Sequence, residues 1–288
     1  MDNSKISIGT AQFIDNYSLD QKGQLNFKNF SKIIDMCYAK GIYKLDTAQV
    51  YSNSENIIGN FDLRDWHITS KLMKIPETAD IEKFIFENVE KSLKNIRLDK
   101  IDILLLHSPD QLFLDYGEKI YLALLKLIQQ SKIKKFGYSV YDPSQFINLQ
   151  NKYKCSACQI PFNVFDQRIL NNEFIETINI NKIHLQVRSI FLQGLLLLKQ
   201  NELNDYFNQW KNHFDIYENY LLENDINKIS LCLNFVFSNN LVSDVIVGIK
   251  NQKQLKEILE IDLLEITRPE VLRNNDIRLI EPFRWEIK

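Results

Sequence analysis

Short β-like runs alternate with amphipathic helical segments from one end of the chain to the other, and this alternation constrains the fold more than any other feature. Ile6-Ser-Ile-Gly9 reads as a strand, after which Phe27, Phe30, Ile33, Ile34, Cys37 and Tyr38 recur at helical spacing and Gly41 supplies a stop. Six more strands are expected at Tyr43–Asp46, Trp66–Lys71, Ile101–His107, Lys135–Ser139, Cys158–Phe162 and His184–Ser189, and an eighth at Asp244–Gly248. The helices between them include a short one capped by Ser54 and ending near Gly59, then segments near 81–96, 120–128, 143–149 and 229–237. Leu255, Ile258 and Leu259 mark the closing helix. Unbroken repetition of strand and helix predicts a parallel α/β barrel, a single (β/α)8 TIM barrel in which residues 1–288 form one domain. About 250 residues is a usual size for that architecture, and the chain has 288, 45% of them apolar.

Charge excludes some partners. Thirty-five basic and 37 acidic residues leave a formal net charge of −2, without long runs of one sign, so no nucleic-acid surface is expected. No apolar stretch reaches the roughly 18 residues of a membrane span, and the polar start Met1-Asp2-Asn3-Ser4-Lys5 does not read as a signal peptide. A cytoplasmic protein without membrane insertion is the expectation. Cys155-Ser-Ala-Cys158 has redox or zinc spacing, but no second pair or nearby histidine completes a ligand set. Reduced thiols at a strand entry, and no metal, are expected. One connection is long: about 40 residues separate Ser189 from Ile229, with Tyr206, Phe207, Trp210, Phe214, Tyr217 and Tyr220 among them. This aromatic content fits an extra helix packed on the barrel, or a substrate wall.

A barrel places its active site at the C-terminal ends of its strands, so polar residues there are read first. Asp46 ends the second strand, Tyr51 follows in its loop, Lys71 ends the third strand and His107 the fourth. A free tyrosine titrates near 10, too high for good acid catalysis at neutral pH, and a neighbouring ammonium is expected to lower it. That ammonium needs a carboxylate beside it if buried, which Asp46 can supply. His107 can donate a hydrogen bond to a carbonyl and hold it in place. Taken singly, each residue also has a structural reading as a helix cap, a packed ring, a rim lysine or a core histidine.

The run Asp46-Thr-Ala-Gln-Val-Tyr51-Ser-Asn-Ser-Glu55-Asn-Ile-Ile-Gly59 resembles a signature of the aldo/keto reductase superfamily, and Thr69-Ser-Lys71 and Leu104-Leu-Leu-His107 resemble its following strand ends. The likeness runs from Ile6 to about Ile258. It implies that Tyr51, Asp46, Lys71 and His107 are the catalytic tetrad of an NAD(P)H-dependent carbonyl reductase, with Tyr51 as general acid. It also implies nicotinamide binding without a Gly-rich fingerprint, as this sequence lacks G-x-G-x-x-G. Gly9 and Thr10 would lie near the nicotinamide, and Asp46 beside them. Ser139 and Gln159, with Asn163 nearby, would orient its carboxamide. The stretch Arg188, Ser189, Phe191, Gln193 and Gly194 would hold nicotinamide and pyrophosphate, and Gly248, Lys250, Gln254 and Glu257 the adenosine end.

Two positions depart from the family pattern. Arg188 stands where many relatives stack an aromatic ring on the nicotinamide; a guanidinium can stack too, but brings charge. Gly248 and Gln254 stand where relatives that prefer a 2′-phosphate often carry Lys or Arg, leaving Lys250 and Lys253 as phosphate partners. NADPH is expected, with NADH the alternative cofactor. The Gly9–Phe13 and Arg188–Leu195 stretches resemble bacterial reductases of surface-polysaccharide settings, which implies a sugar or nucleotide-sugar carbonyl and polysaccharide biosynthesis. Candidates for the substrate wall are Phe13, Tyr17, Phe113, Trp210, Phe283 and Trp285, beside Tyr51 and His107. The alternative function is a non-catalytic, nucleotide-sensing barrel subunit of a larger assembly. A phosphate-binding isomerase or lyase would need a Gly-rich loop after strands seven and eight, where only Gly194 and Gly248 occur.

Overall fold

The structure is a computed structural model and describes residues 2–13, 27–262, 264 and 268–287. Eight parallel strands close into one barrel in sequence order: β1 (Ile6–Gly9), β2 (Lys44–Asp46), β3 (His67–Leu72), β4 (Ile101–Leu106), β5 (Ile133–Ser139), β6 (Ala157–Pro161), β7 (His184–Arg188) and β8 (Asp244–Gly248). β1 pairs with both β2 and β8, so no sheet edge is left open. The outer ring comprises α1 (Phe27–Lys40), α2 (Ser54–Ile58), α3 (Ile81–Ile96), α4 (Gly117–Gln129), α5 (Pro143–Lys152), α6 (Asn172–Ile180), then α7 (Lys211–Glu223), α8 (Lys228–Phe237) and α9 (Gln252–Leu259). The helices bury most of the apolar stripe read from the sequence, Phe30, Ile33, Ile34 and Cys37 in α1 and Ile85, Val89, Leu93 and Ile96 in α3, while Phe27 and Tyr38 at the ends of the α1 stripe are exposed. Gly41 ends the first helix with a left-handed φ of 69°.

Some boundaries differ from the sequence expectation for local reasons. β5 starts at Ile133, two residues early, because the exposed Lys134 and Lys135 interrupt an apolar pattern but not the pairing with β4. α5 runs to Lys152, its N-terminus capped by Asp142, which accepts from Ser144 N at 2.6 Å. Ser54 is not a cap. It is the first residue of α2, and its hydroxyl lies 2.8 Å from that of Thr47, tying the helix to the loop before it.

The long connection after β7 holds short 3-10 turns and α7, with Phe207, Trp210, Phe214, Tyr217 and Leu221 buried. Phe165 packs edge-on against both Phe214 and Tyr217, and Tyr217 donates to Leu196 O. This segment is therefore an added helix packed on the barrel. Cys155 is half-buried and Cys158 buried, neither in a disulfide, and burial pushes the Cys155 thiol up to about 12. Among the described residues no cluster of His, Cys, Asp or Glu could hold a metal ion, and no helix is long and apolar enough to cross a membrane.

Candidate active site

Strand register brings the polar strand ends to one mouth. Gly9, Asp46 and Thr69 lie side by side on β1, β2 and β3, and Lys71 follows two residues further along β3. Lys71 is 1% exposed and Asp46 3%, so their charges meet almost without water. The ammonium donates to Asp46 Oδ1 at 2.6 Å, to Oδ2 at 2.9 Å and to Thr47 O at 3.2 Å. Such a pair survives burial because the ammonium donates to the carboxylate and to Thr47 O, and the carboxylate also accepts from Gln159.

The loop that delivers Tyr51 is fixed by its own polar residues. Gln49 donates to Asn88 O and Ser92 Oγ on α3 and accepts from Met73 N, while Ser70 donates to Glu55 at 2.8 Å. Gly59, last residue of the signature, packs against α3 so closely that a Cβ there would sit 2.0 Å from Asn95 O. These contacts give Thr47, Gln49, Ser54, Glu55 and Gly59 a common task, which is to set the position of Tyr51. The Lys71 ammonium lies 5.0 Å from the Tyr51 ring centre, and the His107 ring stands edge-on to it, centroids 6.2 Å apart.

The electrostatics differ from the sequence expectation for Tyr51. Burial and then the Asp46 carboxylate push its phenol above the ordinary 10, and Arg188 opposes them. Tyr51 therefore holds its proton throughout the neutral range. His107 is displaced the other way: burial, then Lys71 and Arg188, lower it to about 4, so its imidazole is neutral and one ring nitrogen carries a donor hydrogen.

Arg188 lies at the end of β7 on the same cleft. Its guanidinium stacks 4.1 Å from the Tyr141 ring centre, donates to Val140 O at 3.2 Å and reaches Ser189 Oγ at 3.4 Å. Tyr141 in turn meets Phe283 of the C-terminal segment, centroids 4.6 Å apart. The cleft, with a volume of about 130 Å³, runs from Asp46, Tyr51 and Arg188 past Ser189, Phe191, Gln193 and Gly194 to Gly248, Lys250 and Gln254. After β7 the backbone is unusual: Ser189, Leu192 and Gln193 have positive φ, as does Gly194 at 92°. Left-handed non-glycine residues cost energy and persist only where the surrounding structure holds them.

Other expected residues are placed less directly. Thr10 is buried and ties β1 to β2, its N–H and hydroxyl both donating to Asp46 O. Ser139 is paired with Gln159 across β5 and β6. Gln159 is fully buried; its amide nitrogen donates to Asp46 Oδ2 at 2.7 Å, and its Oε1 has no hydrogen-bond partner among the described residues. Asn163 shapes the turn after β6, accepting from Phe165 N and Asp166 N and donating to Ser189 O. Gln254 accepts from Lys250 N at 2.7 Å. Glu257 borders an adjoining hollow shared with Leu197, and Lys253 is exposed and 3.7 Å from Glu257.

Two expected substrate residues lie elsewhere. Phe13 packs edge-on against Phe30 in the core. Trp210 is buried beside Phe207 and donates to Asp276, so its ring serves the packing of the C-terminal segment. Phe113 is half exposed, Trp285 packs on Phe207, and Tyr17 is outside the described residues. Tyr141 and Gln12 join the site without having been anticipated. Gln12 lines the cleft with a buried Oε1 that lacks a partner among the described residues; its polarity in the Gly9–Phe13 run was the available signal.

Comparison with known proteins agrees with this architecture. Over 276 residues the chain is 24% identical to a putative voltage-gated potassium channel subunit beta of Schizosaccharomyces pombe, covering 82% of this chain and 80% of that one. It is 31% identical to the 6-dehydroglucose reductase of Agrobacterium fabrum over 140 residues, 41% of this chain and 46% of that one. The structure of the aldo-keto reductase AKR11C1 from Bacillus halodurans superposes with a TM-score of 0.69 at 17% identity, covering 98% and 94% of the two chains. The model of the aldo/keto reductase family matches residues 5–277, so the chain belongs to that family of oxidoreductases.

Proposed function

We propose that the protein reduces an aldehyde or ketone, of a sugar or nucleotide-sugar, to an alcohol, using NADPH in preference to NADH, with Tyr51 as the general acid. The observation that carries this reading is the meeting of Tyr51, Lys71, Asp46 and His107 at one barrel mouth. The residues around the cleft suit a nicotinamide nucleotide. Gln159 Oε1 is a buried acceptor lacking a described partner, which a primary amide would satisfy, and the loop Ser189–Gly194 suits a pyrophosphate. Lys250 supports a 2′-phosphate, since it lines the far end of the same cleft. When bound, the reduced nicotinamide supplies the hydride.

The chain's own residues do the rest. His107, neutral above about pH 4, donates to the substrate carbonyl oxygen and aims it at Tyr51. Tyr51 Oη gives its proton to that oxygen as negative charge develops there. Lys71 then faces the emerging phenolate from the tyrosine's own side, and Asp46 keeps Lys71 charged in its buried place. The name of the Agrobacterium relative supports a dehydro-sugar as substrate. The S. pombe relative is named as a channel subunit, and membership of an assembly is the element it lends to a second reading, a non-catalytic, nucleotide-sensing barrel subunit of a larger assembly.

Titration of the purified protein with NADPH and NADH, followed by tryptophan fluorescence, tests the cofactor reading. Saturable binding, tighter for NADPH, is expected; absence of binding, confirmed by calorimetry, contradicts it. A screen of aldehydic and keto sugars with the nucleotide-loaded protein then separates reductase from sensor.

A further inference from the structure

The barrel axis holds an unbroken polar chain where such barrels ordinarily stack branched apolar side chains. From the catalytic end, Asp46 Oδ2 accepts from Gln159 Nε2 at 2.7 Å. Gln159 Nε2 also donates to Gln186 Oε1 at 3.3 Å. Gln186 Nε2 donates to Asp244 Oδ2 at 3.0 Å and to Thr69 Oγ1 at 2.9 Å. On the barrel floor Asp244 is met by Lys44 Nζ and His184 Nε2, each at 2.5 Å. Both glutamines and Asp244 are buried.

The direction of every bond in this chain follows from its ends. An ionised carboxylate only accepts, so Gln159 must offer its NH2 to Asp46 and Gln186 must offer its NH2 to Asp244. Gln186 then turns its oxygen toward Gln159, where it takes the second N–H. Nothing is left on the Gln159 amide except its oxygen, the atom without a described partner.

We propose that Gln186 is a positioning residue: anchored by the Lys44–Asp244–His184 cluster on the barrel floor, it fixes the Gln159 amide so that Oε1 is what the site offers a ligand. The ligand group this selects is an N–H donor, the primary amide of a nicotinamide, and the inference rests on the cofactor reading given above. Residues at the opposite end of the barrel from the chemistry thus set the hydrogen-bond polarity of the binding site.

The test uses Gln186→Met and Asp244→Asn. The first removes the relay, and the second puts a side chain that can also donate where only an acceptor stood. Asp244 borders a floor cavity of about 260 Å³, so the second change can be solvated if the first disturbs folding. Each protein is titrated calorimetrically with NADPH, with NADH and with 2′-phospho-ADP-ribose and ADP-ribose, which lack the nicotinamide. Gln186→Met should weaken binding of the complete nucleotides about tenfold, the worth of one hydrogen bond. The fragments should bind within about twofold of the unaltered protein by the same reasoning. Asp244→Asn should move in the same direction by less. Fragment and nucleotide affinities falling together would mean general distortion and overturn the inference, as would no change in either. If the unaltered protein binds the fragments but gains nothing from the nicotinamide, the cofactor reading itself has failed, which is seen before any variant is compared.

Discussion

The chemistry rests on how a few buried charges are balanced. Lys71 and Asp46 are nearly sealed from solvent, and each is tolerable only with the other in place. Removing one partner of such a pair generally costs about 3–5 kcal/mol, because an uncompensated charge stays behind. Lys71→Met should therefore lower stability by roughly that amount in chemical denaturation, besides losing turnover. A loss well under about 1 kcal/mol would mean that water reaches Asp46 and that the pair is not dry. That Asp46, Tyr51, Lys71 and His107 come together was legible in the sequence, because each lies at or beside a strand end or in the loop after one. The sign of the Tyr51 shift was not. It depends on how far the ring is buried and on how near the Asp46 carboxylate lies, and a linear spacing carries neither quantity.

Among the elements, the loop from Asp46 to Gly59 joins motif to mechanism. Its polar residues bond to β3 and α3, and its final glycine lets α2 lie against α3. A Cβ at Gly59 would collide with backbone, which cannot swing away as a side chain tip can. Gly59→Ala should cost about 1–3 kcal/mol through overpacking and slow turnover by displacing Tyr51. Unchanged melting and unchanged turnover together would show that α2 does not position the tyrosine. The strand–helix order was readable because parallel strands buried on both faces give dense apolar runs. The 3-10 turns and positive-φ residues after β7 were not readable, since Ser189, Leu192 and Gln193 give no local signal for a left-handed backbone. Trp210 misled for a related reason: an aromatic residue in a long connection has the same appearance whether it faces ligand or core.

At the scale of the whole molecule, buried titratable groups couple stability to pH. His107 is held at about 4 in the fold against an ordinary 6.5, so between those values an unfolded chain takes up a proton that the folded one refuses. Stability should fall as pH drops through that window. Burial raises Asp244, but its bonds to His184, Gln186 and Lys44 outweigh this and hold it at about 2 against 3.8. A second loss follows as pH falls from about 4 to 2. Asp166, raised by burial, opposes the first of these losses, since its extra hold on a proton acts above 3.8. Melting temperatures from neutral to acid pH should thus decline from near pH 6.5, and His107→Gln should lessen the first part of that decline, His213, also lowered by burial, keeping the remainder. A flat profile down to pH 4 would contradict the buried, neutral state of His107. The axial chain itself was hidden in the sequence, because Gln186 and Asp244 sit on different strands and nothing in their neighbours shows that they meet Gln159.

The most direct test of the central claim is a comparison of unaltered protein with Tyr51→Phe, measuring both NADPH affinity and the single-turnover loss of reduced-nicotinamide absorbance with a sugar aldehyde. The variant should bind NADPH as tightly as before, and its hydride-transfer rate should fall by about 10²–10⁴, the usual worth of a positioned acid. Equal rates in the two proteins would remove Tyr51 as the acid and leave the barrel without the chemistry assigned to it.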